Sequence, residues 1–499
     1  MKKDIASTKY GDIHGVIKND TVLFKGIKFG HSPRFLPPTE VESFKGLYEA
    51  NKFGQVSYQT AGSLGGLLGG PEPDVAEECL FLNVHTPAVD QNKRPVMVWI
   101  HGGGFTGGSG STPWYNGQSF VEKGNLVLVT INYRLGALGF LNVADYFGQE
   151  YQSSGLTGIL DQIFALKWVD ENIESFGGDP NNVTIFGESA GAMSVGTLLA
   201  IEEARKYFNK AILQSGAGQN CLSLGESKII TDTFIDLLKL DSPNDLLSVN
   251  PSLLLGKQEL LSAELLKKQL SLSNSSRLMI GLPFQPVIDE YYLKQPTIES
   301  IGSGDAKDIP IVVGTNLDEW NLFSLMFKSP DDTAKIKKRL SLMSNRADEI
   351  VQSYESEYPD LLPAQLWNKI MTDVIFTAPA VRLLRTQLRF QKDCYRYLFS
   401  WKSTSLNGAL GSCHALEIPF VFNNLGATGV SLITGDNAPQ ELADEMHSRW
   451  ISFAKNGSPN LDKDGLDWPK YSNDNYAFIN FNEETAIDKE SSFIQTVLQ

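Results

Sequence analysis

The chain has little cysteine and lacks long apolar runs. Only four of its 499 residues are cysteine, namely Cys79, Cys221, Cys394 and Cys413, and none belongs to a CxxC pair. Such wide spacing predicts free, buried thiols in a reducing compartment rather than a disulfide framework. No run of 18 apolar residues is present, so we expect no membrane-spanning helix. Residues 1–9 lack the apolar segment of a secretory signal, and we therefore expect a cytoplasmic protein.

Positive charge is also in deficit. Lysine and arginine together number 43 against 58 acidic residues, which gives a net charge of −15. This balance argues against nucleic acid and anionic membranes as partners. The sequence contains no HExxH motif, no Cys/His cluster with metal-ligand spacing and no dinucleotide-binding fingerprint. We therefore expect no cofactor and no metal, a small-molecule partner, and a monomer or small homo-oligomer.

Short, unbroken apolar runs alternate with segments of helical periodicity. Such runs are typical of parallel strands that are covered on both faces. They occupy residues 96–100, 126–131, 183–186, 211–213, 311–313 and 395–399. The alternation predicts an α/β fold with a large, mixed but mostly parallel central sheet and helices on both faces.

The remaining segments complete the predicted architecture. Residues 161–176 form a helix that Gly177 and Gly178 end, because glycine favours the backbone conformation found after helices. The first 30 residues predict short antiparallel strands. A helix-rich insertion at about residues 325–392 interrupts the strand series. We expect residues 1–499 to form a single domain that contains this helix-rich subdomain.

The most informative motif is Gly187-Glu188-Ser189-Ala190-Gly191. It stands between an apolar strand pattern and a helix pattern, as the nucleophile elbow of α/β-hydrolases does. The alternative is an ordinary glycine-rich turn, since glycine and serine are common. The flanking patterns favour the elbow and predict that Ser189 is a nucleophile.

A second glycine-rich motif follows the predicted strand at residues 96–100. It reads His101-Gly102-Gly103-Gly104-Phe105. Consecutive glycines allow backbone N–H groups to point at a developing oxyanion. We expect Gly103, Gly104 and Ala190 to donate three such N–H groups. A phosphate-binding loop is the weaker interpretation, because no Gly-Lys-Ser/Thr follows.

The serine needs a base that titrates near neutral pH, which indicates histidine. In α/β-hydrolases the chain order is serine, acid and then histidine. Only His414 and His447 follow Ser189. His447 belongs to an amphipathic helix at residues 441–455, where a packing role is expected. His414 lies in a loop after a predicted strand, where catalytic groups are common, and is the predicted base.

The acid is expected between Ser189 and His414, at the end of a strand. Asp318 and Glu319 both follow the apolar run at residues 311–313. Either carboxylate could orient the imidazole and stabilise its protonated form. Chemistry alone does not choose between them.

These motifs together resemble the type-B carboxylesterases, the carboxylesterase/cholinesterase family, and are similar to those of bacterial para-nitrobenzyl esterases. The resemblance covers about residues 11–481. It rests on the two motifs above and on Glu77-Glu78-Cys79-Leu80-Phe81-Leu82-Asn83-Val84, Asn132-Tyr133-Arg134-Leu135-Gly136, Phe176-Gly177-Gly178-Asp179-Pro180 and Gln214-Ser215-Gly216.

The resemblance implies an α/β-hydrolase fold and ester hydrolysis through an acyl-enzyme without a cofactor. It also implies that Glu319 is the acid and that His414, which precedes Glu417, is the base. Three departures stand out. Ser57 occupies the position of a cysteine that eukaryotic members pair with the equivalent of Cys79, so that bridge is absent. Trp320 replaces a common glycine, and residues 57–79 lack the tryptophan of choline esterases, which argues against choline specificity.

The sequence therefore predicts a serine carboxylesterase with Ser189, His414 and Glu319 as its catalytic residues. A lipase for longer-chain esters is one alternative. It would need an apolar lid, for which the glycine- and leucine-rich residues 62–70 are the candidate, although a plain surface loop fits them as well. A catalytically inactive scaffold of the same family is a further alternative, but such members lose the serine or histidine. Trp320, Leu322 and Phe323 are expected to line the pocket because they follow Glu319.

Overall fold

A computed structural model describes residues 3–60, 74–271, 282–461, 465–491 and 493. The proposed lid at residues 62–70 lies outside this part of the chain. The described strands are Ile5–Thr8 (β1), Gly11–His14 (β2), Val16–Lys18 (β3), Thr21–Lys28 (β4), Tyr48–Glu49 (β5), Phe81–Thr86 (β6), Arg94–Ile100 (β7), Val127–Ile131 (β8), Gly178–Glu188 (β9), Lys210–Gln214 (β10), Ile311–Asn316 (β11), Cys394–Phe399 (β12), Ala477–Phe481 (β13) and Ala486–Lys489 (β14).

Eleven of these strands form one sheet in the order β14-β13-β12-β11-β10-β9-β7-β8-β6-β4-β3. The strands from β13 to β8 run parallel to one another. Both ends of the sheet are antiparallel. The first three strands of the chain also make antiparallel pairs, and β1, β2 and β5 form a separate small sheet. The predicted mixed, mostly parallel sheet is thus confirmed.

The helices cover both faces of this sheet. They are Gln118–Gly124 (α1), Gly136–Phe140 (α2), Ala144–Phe147 (α3), Thr157–Asn172 (α4), Ala190–Ala200 (α5), Leu224–Leu238 (α6), Pro251–Ser271 (α7), Thr297–Gly302 (α8), Trp320–Ser324 (α9), Thr333–Leu340 (α10), Ala347–Glu357 (α11), Pro363–Thr372 (α12), Ala378–Gln387 (α13), Ile418–Val421 (α14), Ser431–Thr434 (α15) and Gln440–Asn456 (α16). Among the described helices, none is both long and apolar enough to cross a bilayer.

Strand β7 shows how the sheet separates two cores. Successive side chains of a strand point to opposite faces. Val98 and Ile100 pack into one buried apolar cluster, whereas Met97 and Trp99 pack into another on the opposite face. All four side chains are fully buried. An apolar residue is therefore needed at every position, which explains why the run is unbroken.

Helix α4 differs slightly from its prediction. The α-helix begins at Thr157 and ends at Asn172, and a 3₁₀ turn, Ile173–Phe176, continues it. Gly177 then adopts a left-handed conformation with φ of +78°. The end of the apolar pattern at Phe176 therefore marks the end of the 3₁₀ turn and not of the α-helix.

The region predicted to be helix-rich contains α10 to α13. A π-helical turn, Asp373–Thr377, separates α12 from α13. A third apolar cluster lies here and includes Ile336, Val351 and Ile370, all fully buried. The same cluster is joined by Trp320 and Phe323 of α9, which connects this region to the end of β11.

Candidate active site

Ser189 stands at the sharp turn between β9 and α5. Its backbone has φ of +56° and ψ of −126°, a conformation that is strained for a residue with a side chain. A Cβ atom on Gly191 would overlap the carbonyl oxygen of Ile100, and one on Gly187 would lie 2.7 Å from the same oxygen. The two glycines are therefore required by the close approach of β7. Their own φ angles are not positive.

The loop after β7 is also tightly folded. Gly103 and Gly104 have φ of +110° and +62°, and a Cβ atom on Gly103 would overlap the carbonyl oxygen of Gly107. His101 anchors the start of the loop. Its ring stacks on Tyr133 with 4.5 Å between centroids, and the Tyr133 hydroxyl donates to the His101 carbonyl at 2.8 Å. Burial lowers the pKa of His101 to about 4. The ring is therefore neutral, and its Nδ1–H donates to the carbonyl of Gly102 at 2.8 Å.

Three backbone N–H groups, two in the loop after β7 and one in the elbow, remain available as donors in the described part of the chain. In the part of the chain that the structure describes, no hydrogen bond uses the N–H of Gly103, Gly104 or Ala190 as donor. Ala190 is the first residue of α5, where the N–H has no partner within the helix. Gly102 holds this loop against the elbow, since a Cβ atom on Gly102 would lie 3.0 Å from Cβ of Ser189. Free donors at a helix N-terminus favour a negatively charged oxygen.

His414 and Glu319 form a buried pair. Nδ1 of His414 lies 2.6 Å from Oε2 of Glu319, and both residues are fully buried. The other carboxylate oxygen of Glu319 accepts the backbone N–H of Asn316 at 2.7 Å. Asp318, the alternative acid, instead accepts the backbone N–H of Ser412 at 3.0 Å. Because a carboxylate accepts from Nδ1–H, the pair fixes Nε2 as the free imidazole nitrogen.

Glu188 is the nearest acidic group to this free nitrogen. Its Oε1 lies 3.0 Å from Nε2 of His414, but the two atoms do not have hydrogen-bond geometry. No hydrogen bond joins Nε2 to the Ser189 hydroxyl. Glu188 has no role of its own in the sequence prediction. Because Glu188 directly precedes Ser189, its position in the sequence could have indicated that its carboxyl lies close to the base.

The charges around His414 determine its protonation. Burial opposes the charged form, but Glu188, Glu319 and Glu417 outweigh burial and raise the pKa of His414 to about 9. Burial also raises the pKa of Glu188 well above its usual range, and that of Glu417 less strongly. Three buried carboxylates around one imidazole cannot all be ionised at low cost. The ionised form of Glu188 is the least stabilised of the three, because its Oε1 receives no hydrogen bond.

Glu417 is the second acidic residue without a role in the sequence prediction. Its carboxylate accepts N–H groups from Asn316 at 2.7 Å and Gln214 at 3.1 Å. Gln214 in turn accepts the indole N–H of Trp450 at 3.1 Å. These two amide donors stabilise the ionised form of Glu417. Oε1 of Glu188 receives no such hydrogen bond. The network ties the ends of β10 and β11 to the segment that follows His414.

Two aromatic rings cover the imidazole of His414. The ring of Phe376, in the π-helical turn, lies 4.8 Å from it, and the ring of Phe323 lies 5.1 Å from it. Of the three residues expected to line the pocket, Phe323 is therefore at the site. Leu322 packs into the core beneath the sheet. Trp320 packs into the helix-rich cluster, and its backbone N–H donates to the Thr372 hydroxyl at 3.1 Å.

The other features lie away from this cluster. His447 is buried in α16, with Nδ1 bonded to the carbonyl of Val421 at 2.8 Å. A cavity of about 1020 Å³ is lined in part by Gly108–Thr112, which follow the glycine-rich motif, but not by Ser189, Glu319 or His414. Over the described ranges, no group of three His, Cys, Asp or Glu side chains is arranged to hold a metal ion. None of the four cysteines forms a disulfide; Cys221 is partly exposed and the others are buried.

Known proteins are similar in sequence to nearly the whole of this chain. The model of the carboxylesterase family matches residues 2–495. The para-nitrobenzyl esterase of Bacillus subtilis (strain 168) is 34% identical over 98% of this chain and 97% of its own length. The fumonisin B1 esterase of Sphingopyxis macrogoltabida is 32% identical over 94% of this chain and 85% of its own length.

Solved structures agree with the sequence relatives. The crystal structure of the Geobacillus stearothermophilus carboxylesterase EST55 at pH 6.2 superposes with a TM-score of 0.86 at 36% identity and covers the whole of both chains. A structure of a PNB esterase gives a TM-score of 0.85 at 32% identity over 99% of each chain. The chain thus has the α/β-hydrolase fold, belongs to the carboxylesterase family and is a carboxylic ester hydrolase.

Proposed function

We propose that the chain hydrolyses carboxylic esters through an acyl-enzyme on Ser189. The observation that supports this proposal is that the Glu319–His414 pair lies beside Glu188, which directly precedes Ser189 at its strained turn. Gly102, at the start of the glycine-rich loop, packs against the same turn. Each part has a chemical task that serine hydrolysis requires.

The first half of the reaction forms the acyl-enzyme. Nε2 of His414 accepts the proton of the Ser189 hydroxyl as its oxygen attacks the ester carbonyl. Glu319 holds the Nδ1–H and stabilises the imidazolium that forms. The N–H groups of Gly103, Gly104 and Ala190 stabilise the negative oxygen of the tetrahedral intermediate. His414 then donates its proton to the leaving alcohol, and the ester's C–O bond breaks.

The second half releases the acid. A water molecule gives a proton to His414 and attacks the acyl carbonyl, after which Ser189 leaves with that proton. Nε2 of His414 has no hydrogen-bond partner in the structure, so its bond to the Ser189 hydroxyl must form before the first step. Hydrogen bonds of this kind often tighten only when substrate is bound.

Hydrolysis of p-nitrophenyl acetate by the wild type and by Ser189→Ala tests the proposal. We expect turnover by the wild type, and loss of nearly all of it in the variant. Phenylmethylsulfonyl fluoride should add one sulfonyl group to the wild type, which peptide mass spectrometry should locate at Ser189. Hydrolysis at an unchanged rate by Ser189→Ala, or a modification at another serine, would refute the assignment. Ser215→Ala, in the turn after β10, is a matched control that should keep its activity.

A further inference from the structure

The aromatic ring of Phe323 connects the imidazole to a longer apolar surface. Phe323 belongs to the short helix α9, which begins directly after Glu319. Its ring lies 5.1 Å from the imidazole of His414 and stacks on Phe376 at 6.0 Å with an angle of 15° between the rings. One side of His414 is therefore walled by apolar rings that offer no hydrogen bond to a substrate.

The helical path continues beyond α9. The N–H groups of Met326 and Phe327 both donate to the carbonyl of Phe323, at 3.0 Å and 2.9 Å. The bond from Phe327 spans four residues, as in an α-helix. Phe327 consequently lies on the same face as Phe323 and about 6 Å further along the axis. The helix face that begins at Phe323, beside His414, thus continues for at least one more turn.

This next turn is unusually apolar for an exposed segment. Leu325, Met326 and Phe327, which we call the apolar turn, have exposed fractions of 55%, 51% and 56%. Nowhere else in the described residues do three consecutive large apolar residues reach such exposure. Contiguous exposed apolar surface is costly in water and usually marks a binding surface. Between Trp320 and Phe327 there is no charged residue, and Lys328 is the first.

We infer that the apolar turn binds the hydrocarbon chain of an ester whose carbonyl lies at Ser189, and that extended apolar esters are the preferred substrate class. The inference rests on the proposed function, because it needs the reacting carbonyl beside His414. We identify the occupant as the hydrocarbon chain of the substrate because the apolar face begins at Phe323, whose ring contacts the imidazole of His414. A charged or hydroxylated chain gains nothing from these three side chains.

The test replaces the apolar turn and varies the length of the substrate. The variant Leu325→Ser/Met326→Ser/Phe327→Ser is compared with the wild type on p-nitrophenyl acetate, p-nitrophenyl octanoate and octyl acetate, each below the concentration at which it aggregates. The last two substrates place the chain on the acyl side and on the alcohol side. We expect kcat/KM for one or both octyl substrates to fall about tenfold. That factor corresponds to about 1.4 kcal/mol, or roughly 55 Å² of apolar surface removed from water.

Short substrates and a matched variant serve as controls. Hydrolysis of p-nitrophenyl acetate should change less than twofold in the variant, which shows that the site is still assembled. The control Leu47→Ser/Leu224→Ser/Phe390→Ser also removes two aliphatic residues and one phenylalanine, each more than 40% exposed, at separate places on the surface. It should leave the ratio of octanoate to acetate activity unchanged.

The outcomes separate this inference from the proposed function. If the wild type fails to hydrolyse p-nitrophenyl acetate, or if Ser189→Ala hydrolyses it equally well, the proposed function fails. If acetate hydrolysis is normal but neither octyl substrate is affected by the triple substitution, only the inference fails. The inference is also overturned if the substitution changes the oligomeric state without changing the chain-length ratio, because the apolar turn would then be covered by a second copy of the chain.

Discussion

Nδ1 of His414 lies 2.6 Å from Oε2 of Glu319, although 95 positions separate the two residues in the sequence. The backbone N–H of His414 also donates to the carbonyl of Glu319 at 3.3 Å. The contact therefore joins main chains as well as side chains. It brings the segment after β12 against the end of β11 and fixes the orientation of the imidazole.

This pair predicts the effect of Glu319→Gln. The amide keeps the shape of the carboxylate but can present its NH₂ group to Nδ1, which favours the wrong imidazole tautomer. It also loses the charge that stabilises the imidazolium. We expect kcat for p-nitrophenyl acetate to fall by about 10³–10⁴. The matched variant Asp318→Asn, which can still accept from Ser412, should retain kcat within about threefold. Equal losses in the two variants would contradict the assignment of Glu319 as the acid.

The position of Glu188 predicts a change in the pH dependence. Its charge is the first of those that raise the pKa of His414. Glu188→Gln removes this charge, so the pKa of His414 should fall. The acidic limb of kcat/KM requires an unprotonated imidazole, and it should therefore move to lower pH. A profile from pH 5 to 10.5 with p-nitrophenyl acetate, corrected for its spontaneous hydrolysis, measures this, with Glu484→Gln on the exposed surface as the control. A limb that stays in place or moves to higher pH would refute the electrostatic role.

The close packing of the elbow predicts a loss of stability in Gly191→Ala. The new Cβ would overlap the carbonyl oxygen of Ile100, and the backbone of β7 cannot easily move. We expect the free energy of unfolding in urea to fall by about 2 kcal/mol or more. Gly225→Ala, in the first turn of α6, has no atom within 4 Å of the new Cβ. It should be neutral or raise the free energy of unfolding by up to about 1 kcal/mol. Equal stability of the two variants would show that the turn relaxes.

A buried ion pair supports the π-helical turn that carries Phe376. Asp373 is almost fully buried and accepts Lys369 Nζ at 2.9 Å and the Tyr354 hydroxyl at 3.0 Å. Lys369→Met would leave this carboxylate without its cation. We expect the free energy of unfolding to fall by about 3 kcal/mol, near the low end for buried pairs, because 22% of the Lys369 side chain is exposed.

The exposed pair of Lys335 and Asp331 provides the comparison. Lys335→Met should change the free energy of unfolding by less than about 1 kcal/mol, since water already solvates both groups. Urea denaturation of both variants, followed by circular dichroism, measures the difference. A loss for Lys369→Met no larger than that for Lys335→Met would mean that Asp373 is protonated or reached by water when the lysine is absent.

The sequence alone predicted the six strands β7 to β12 and the sharp turn at Ser189. The apolar run at residues 96–100 lies within the observed β7, Arg94–Ile100, because burial on both faces leaves a local pattern. The turn of Ser189 was predictable for the same reason, since its glycines are neighbours in the chain. His414 could be selected because only two histidines follow Ser189. The assignment of residues 1–499 to a single domain stays a prediction.

Only the tertiary structure separated Asp318 from Glu319 by position. These neighbours have equal chemistry in the sequence, yet one carboxylate meets His414 and the other meets the backbone of Ser412. The approach of Glu188 to Nε2 and the exposure of the apolar turn were also decided by folding. Strand order and side-chain direction depend on contacts between segments far apart in the chain. Local periodicity does not predict such contacts, because it indicates which face of an element is buried but not which segment packs against that face.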